Sequence, residues 1–277
     1  MSTGCGGRTP GSLTGDGRLI DTHCHLDMLQ YPVGEALEEA GQAGVAGVIT
    51  VGIDGPSSRR AVELAERCSD AAACGASVWA TVGLHPHDAL RWGDALADEL
   101  LELARRPCVV AVGECGLDYY RDLSPRPVQR RAFVAQLALA RTVDKPVVVH
   151  VRDAVEEALE VLAQHGAGLR IVLHCFSAPA MVHECIRRGY AISFAGNVTY
   201  KNAADLRAAA REVPDELLLV ETDAPFLAPV PYRGRTNLPG LLVHTAALMA
   251  EIRGQDGREL ADLTASNAVR VFGLGAR

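Results

Sequence analysis

Aromatic residues are scarce, 5% of 277 positions, and several signals that would assign the chain to a large class are missing. No apolar run reaches the length of a membrane span, so no membrane partner is expected. No secretory signal is visible, because residues 1–17 carry no apolar core segment. The eight cysteines (Cys5, Cys24, Cys68, Cys74, Cys108, Cys115, Cys175 and Cys185) contain no CxxC pair. Reduced thiols in a cytoplasmic protein are the expectation. Excess positive charge is also lacking, since the net charge is −7. That argues against broad electrostatic tracking along DNA. It leaves a phosphate-bearing substrate open, because bound divalent ions can supply positive charge locally. No GxGxxG follows the first apolar run, as an open, doubly wound nucleotide-binding sheet would require. There is no internal repeat and no sign of a second domain.

Residues 1–17, rich in Gly, Ser and Thr, read as a disordered leader. From residue 18 to 277 short apolar runs alternate with amphipathic stretches. The expected strands are Leu19–Thr22, Gly47–Val51, Val78–Gly83, Val109–Gly113, Pro146–Val149, Arg170–Leu173, Tyr190–Phe194 and Leu217–Val220. Near-continuous apolar runs suit strands buried on both faces of a parallel sheet. The helices expected between them are Val33–Gln42, Pro56–Arg67, Asp94–Arg105, Pro127–Val143, Ala154–Gln164, Pro179–Arg188 and Ala203–Glu212. Two more, Leu241–Arg253 and Gly257–Phe272, follow a Pro-rich loop at Ala224–Pro239. Eight strands alternating with helices give an α/β chain folded as one (β/α)8 TIM barrel, with its site at the C-terminal mouth of the strands.

Polar residues gather at the expected strand ends. Strand one ends in Asp21-Thr22-His23-Cys24-His25, strand three in His85-Pro86-His87, and strand four in Glu114. Strands five, six and eight end in His150, His174 and Glu221-Thr222-Asp223. Six of the nine histidines lie at such ends; His165, His183 and His244 fall on or beside helices. All strand ends of a barrel face one mouth, so these residues converge. His23 and His25 leave the same face of an extended segment and can reach one ion. Glu114 can bridge two ions, His150 and His174 can bind a second, and Asp223 can bind the first and accept a proton from water. Imidazoles and carboxylates suit Zn²⁺, Mn²⁺, Co²⁺ or Fe²⁺ better than Ca²⁺. The neighbouring Cys24, Cys115 and Cys175 are expected to point away and pack into the barrel wall.

The segments IDTHCHLD, GLHPHDA, VGECGLDYY, PVVVHVRDA, LHCFS and VETDAPFL, followed by PYRGRTN, resemble the TatD family of metal-dependent deoxyribonucleases within the amidohydrolase-like barrels. The resemblance runs from about Leu19 to the C-terminus. It implies a first divalent ion held by His23, His25, Glu114 and Asp223 and a second by Glu114, His150 and His174. Zinc, magnesium, manganese or a similar metal would serve. It also implies 3′-to-5′ exonuclease action on DNA, at single-stranded ends, by metal-activated water. Asp223 is the expected proton carrier. His85, His87, Arg152 and Arg233 are candidates for phosphate contact, with salt bridging or helix capping as the structural alternatives for Arg152 and His87. Tyr119 and Tyr120 could stack on a base or simply line the mouth. The sequence departs from the family pattern at Leu238 and at Ala178, neither of them an expected ligand.

The enzymatic alternative is a barrel hydrolase for another ester, a lactone or an amide. Many of those carry a carboxylated Lys where Glu114 stands here. A non-catalytic scaffold would be expected to have lost ligands, and all six are present. No stable protein partner is expected.

Overall fold

In each strand the residues pointing inward must pack against seven other strands, and this selects the branched apolar side chains found there. The computed structural model describes residues 18–69 and 74–275; the segment 1–17 lies outside the described residues. The strands are β1 (Leu19–Cys24), β2 (Val45–Val51), β3 (Ser77–Val82), β4 (Val109–Asp118), β5 (Val147–Arg152), β6 (Ile171–Leu173), β7 (Ala191–Phe194) and β8 (Leu218–Val220). They pair in sequence order, every pair parallel. A parallel bridge between Cys24 and Ala224 joins the first strand to the segment after the eighth. The Asp223 amide donates to His23 O at 2.9 Å and the His25 amide to Ala224 O at 2.7 Å. The chain thus has the eight-stranded barrel expected of it.

Among the described residues the α-helices are α1 (Val33–Gln42), α2 (Gly55–Arg67), α3 (Asp94–Ala104), α4 (Arg126–Val143), α5 (Val155–His165), α6 (Val182–Arg187), α7 (Ala204–Glu212), α8 (Leu242–Arg253) and α9 (Gly257–Phe272). Helix α2 starts where Asp54 accepts the Ser57 amide at 2.7 Å, with Pro56 in the first turn. The stretch expected as one helix over Pro179–Arg188 divides into a 3₁₀ turn, Pro179–Met181, and the short α6. No described helix is long and apolar enough to cross a membrane.

The barrel interior has an apolar floor. Ile20, Ile49, Trp79, Val110, Val148, Val172, Ala191 and Leu219, one from each strand, pack with Ala268, Val271 and Phe272 of α9, which closes the bottom. Side chains on a strand repeat every second residue, so the next inward layer sits two residues on. Above Val148 comes His150, above Val172 comes His174, and above Leu219 comes Glu221. The alternation that builds the floor therefore aims polar groups at the mouth.

Two strands run further than their apolar runs suggest. β4, expected to stop at Gly113, continues to Asp118, and β5 continues to Arg152. Their upper parts pair Gly116 with His150 and Asp118 with Arg152, after a register shift between Val112 and Cys115. Apolar patterning cannot detect this extension, because Glu114, Gly116 and Asp118 interrupt it. Gly116 permits the pairing: it has φ +140°, and a Cβ there would lie 2.0 Å from the His150 carbonyl oxygen. Gly116→Ala is expected to destabilise the fold by roughly 1–3 kcal/mol and to displace His150. Thermal denaturation and metal content of the variant check both effects.

Candidate metal centre

Glu114, on β4, stands at the middle of the mouth, 3% exposed. Its Oε1 lies 2.8 Å from His150 Nδ1 and 2.8 Å from His174 Nε2, and those two nitrogens are 3.2 Å apart. Its Oε2 lies 3.4 Å from His23 Nε2 and 3.7 Å from His25 Nε2. Asp223 Oδ1 completes the second group, 3.5 Å from His25 Nε2 and 3.9 Å from His23 Nε2. The His23 and His25 Nε2 atoms are 3.3 Å apart. Donors about 2.1 Å from one ion at tetrahedral angles lie about 3.4 Å from each other. The His23–His25–Asp223 group brackets that spacing, at 3.3–3.9 Å, and the Glu114–His150–His174 group is tighter, at 2.8–3.2 Å; both bring three donors close enough to converge on a cation. The donor set, imidazole nitrogens and carboxylate oxygens without thiolate, suits first-row divalent metals.

The electrostatics point the same way. Burial raises the cost of charge on Glu114, yet nearby His174 and His85 and hydrogen bonds from His150 and His174 hold its carboxyl well below the usual range. Burial opposes charge on His174, but Glu114 and Glu221 outweigh it and its pKa rises well above the ordinary value. His25 and His150 are raised for similar reasons, by Asp223 and Glu114 in one case and by Asp118 and Glu114 in the other, again against burial. For His23 burial wins and the pKa falls. Burial works against charge on Asp223 too, and His25 and His23 overcome it, so the carboxyl stays ionised.

The six expected ligands are thus brought together. His85 and His87 join them but play different parts. His85 Nδ1 accepts the His87 amide at 3.1 Å and caps the 3₁₀ turn Pro86–Arg91. Capping, weighed from the sequence for His87, falls to His85. In a neutral ring the proton is then on Nε2, 3.5 Å from Glu114 Oε1. Burial pushes the His85 pKa down to about 4, so the ring is neutral near pH 7. His85 is therefore a hydrogen-bond donor to the cleft, although it clusters with Glu114 and His150.

Three buried carboxyl groups escaped the sequence reading as functional groups. Asp118 Oδ2 accepts from His150 Nε2 at 3.2 Å and from His87 Nε2 at 2.8 Å, while Oδ1 accepts the Arg121 amide at 2.8 Å. Gln129 fixes the backbone of Asp118, its Oε1 taking the Asp118 amide at 2.9 Å and its Nε2 donating to the Asp118 carbonyl at 3.2 Å. Asp118 thereby turns the His150 ring so that Nδ1 faces Glu114. Glu221 Oε1 lies 3.3 Å from His174 Nδ1 and accepts the Cys175 amide at 2.7 Å. Asp21 accepts the Thr222 amide at 2.9 Å and the Thr222 hydroxyl at 2.5 Å, fixing the segment that carries Asp223. The available signal was parity: Glu114 and Asp118 are four apart on one strand and face the same side.

An open cleft of about 500 Å³ lies over this cluster. His85, His87 and Arg152 line it; Arg233 does not, and stands over the Tyr200 ring at 4.4 Å. Arg152 makes no salt bridge among the described residues and stacks on Tyr120 at 3.8 Å. Cys24 and Cys115 pack into the wall as expected. Cys175 does not: it follows β6 with φ +43° and lines the cleft. Strand alternation ends at Leu173, so it no longer governs where Cys175 points.

Removing the Asp118 contact should affect one group of side chains more than the other. Asp118→Asn is expected to weaken metal affinity at the His150–His174 group about 10- to 100-fold, leaving the His23–His25 group closer to wild type, as read by calorimetric titration. Proton competition gives a second outcome. His25, His150 and His174 have raised pKa values, so in the stripped protein they keep protons that metal must displace. Their contribution to stripped-protein stability is complete below the ordinary histidine pKa and is lost as pH rises through the raised values. The Tm gap between loaded and stripped protein should therefore widen as pH rises above about 6.5, and metal binding should release protons.

The geometry has close counterparts. Residues 20–273 match the family described as TatD related DNase. The chain is 39% identical over 239 residues to the 3′-5′ ssDNA/RNA exonuclease TatD of Pectobacterium atrosepticum, covering 84% of this chain and 90% of that one. It is 38% identical over 258 residues to the metal-dependent hydrolase YabD of Bacillus subtilis, covering 92% and 98%. Among solved structures, the TatD homologue YJJV of Escherichia coli superposes with a TM-score of 0.85 at 30% identity, over 93% of this chain and 98% of that one. By sequence, barrel and convergent side chains alike, the chain belongs to the TatD-related DNase family.

Proposed function

We propose that the protein is a metal-dependent phosphodiesterase that hydrolyses DNA, trimming single-stranded 3′ ends. The observation that carries this reading is the sharing of Glu114, one oxygen toward His150 and His174 and the other toward His23 and His25. Such an arrangement suits two divalent ions, with zinc, manganese or magnesium the leading candidates. His23, His25, Glu114 and Asp223 would hold one, and Glu114, His150 and His174 the other. Bound there, the ions would supply Lewis acidity, lowering the pKa of water and offsetting charge on the phosphate. The TatD relative's name supports the nucleic-acid substrate and its direction of digestion. Glu114 standing in place of a carboxylated Lys favours this reading over the lactone and amide alternatives.

The chain's own residues account for the proton movements. Water attacks phosphorus, the Asp223 carboxylate takes its proton, and the bond to the leaving oxygen breaks. Asp223 then returns the proton to that oxygen. The His85 Nε2–H, held neutral by burial, donates to a non-bridging phosphate oxygen. Arg152 and His87 contact phosphate from the β4–β5 side of the cleft, with Arg233 further out on the loop after β8.

Metal-supplemented assays on end-labelled single-stranded DNA, double-stranded DNA and RNA test the reading, with Glu114→Ala as control. Progressive shortening of single-stranded DNA by the wild type alone is the expected result; identical products from both would trace the activity to a contaminant. Asp223→Asn is expected to keep the fold and at least one ion while losing turnover by about 10²-fold or more. Near wild-type hydrolysis by that variant would remove Asp223 as the proton carrier.

A further inference from the structure

The walls of the cleft differ in chemistry. On the β8–β1 side stand Phe226 and Met28, 47% and 41% exposed, with Leu227 beside them. On the β4–β5 side stand Arg121 and Arg152. The metal-ligand cluster lies between the two walls.

A lone exposed apolar side chain is ordinary on a protein surface. Phe226 differs in how its backbone is held. Its amide donates to Asp223 O at 2.8 Å and its carbonyl accepts from Asn237 Nδ2 at 2.6 Å. Asn237 is fully buried, and its Nδ2 also donates to Thr222 O at 2.9 Å. Phe226 therefore rides on the same braced turn as Asp223. A rigid aromatic ring presented in this way loses little freedom on binding a ligand. Its ring meets the His25 imidazole edge-on, 6.0 Å between centroids at 70°. The tyrosines of the mouth are placed differently: Tyr119, Tyr120 and Tyr200 each have one face under a guanidinium, from Arg126, Arg152 and Arg233. Phe226 thus has the freer ring face for a planar group.

The opposite wall is cationic. Several arginines outside the cleft are paired with carboxylates, among them Arg60 with Asp27 and Arg130 with Glu157. Arg121 and Arg152 have no salt-bridge partner among the described residues. Tyr120 supports the Arg152 guanidinium at 3.8 Å from its ring centre. In a chain of net charge −7, these are local, unneutralised cations facing the site.

We propose that the cleft seats a nucleobase against Phe226 and Met28 on one side of the metal-ligand cluster and the phosphate of a neighbouring nucleotide against Arg121 and Arg152 on the other. The polynucleotide then lies across the mouth from the β8–β1 rim to the β4–β5 rim, with the scissile phosphate over Glu114. Met28 adapts its shape to different bases, so the seat reads the presence of a base rather than its identity. The proposal rests on the phosphodiesterase reading and adds to it which wall meets base and which meets phosphate.

Single modifications placed stepwise along a short single-stranded DNA test it. One series replaces a nucleotide by an abasic tetrahydrofuran residue, and the other replaces a linkage by an uncharged methylphosphonate. For the wild type, loss of one base should lower kcat/KM on the order of tenfold or more. Loss of one phosphate charge on the other side of the scissile bond should lower it on the order of tenfold. Phe226→Ala should abolish the first sensitivity and retain the second; Arg152→Ala should do the reverse; Phe226→Trp should restore the first. Circular dichroism and metal content establish that each variant is folded and loaded. If Phe226→Ala still discriminates against the abasic residue, or if both sensitivities fall on the same side of the scissile bond, the seating is wrong while the nuclease reading stands. A wild type that cleaves no oligonucleotide overturns both.

Discussion

A buried carboxylate is tolerable only when its charge is met, and Glu114 is met by five imidazoles, those of His23, His25, His85, His150 and His174. This one side chain sets the requirements for the rest of the mouth. Its two oxygens face two pairs of histidines drawn from β5, β6 and the segment around β1, which no open sheet with a free edge would gather at this range. Removing any partner would leave charge stranded in a low-dielectric pocket. The residues outside the cluster serve the same arrangement. Asp118 and Glu221 hold the far sides of His150 and His174, and Asp21 fixes the segment bearing Asp223.

Metal chemistry and fold are coupled through the strand repeat. Every one of the eight strands contributes to the apolar floor, and the position two residues further on is His150 on β5, His174 just past the end of β6 and Glu221 just past the end of β8. The packing that stabilises the barrel therefore also fixes the height and direction of the polar groups. The deviations lie where the site needs them. The shifted register between β4 and β5 and the left-handed φ of Gly116 bring a carboxylate-bearing strand level with His150.

The barrel and the convergence of six polar side chains were legible in the sequence because strong signals coincided: apolar runs of strand length, six of the eight closed by a histidine or an acid. The supporting layer was less legible for a physical reason. Asp118 lies beyond the last apolar residue of its run, and only hydrogen bonding to β5 reveals that the strand continues. The division between His85 and His87 depends on which ring nitrogen meets a backbone amide, a matter of tertiary geometry. Glu221 and Asp21 sit beside ligands and look like ordinary strand-end acids until their partners are seen. Cys175 left the wall because β6 had already ended. Arg152 and Arg233 looked alike in sequence, and only loop placement separates the one that lines the cleft from the one that does not.

The sealed floor has a further consequence. Trp79, Ile49 and Phe272 close the barrel below the metal-site residues, so the chamber is shut at its base and the cleft at the mouth is its doorway. Reactant arrival and product departure share that doorway and the same walls. A hydrolysis product keeps most of the groups its substrate presents, and it occupies the same ground until it leaves. Turnover in such a dead-end chamber is paced by clearance as well as by bond breaking, and the surfaces that grip the substrate also set how long the product lingers.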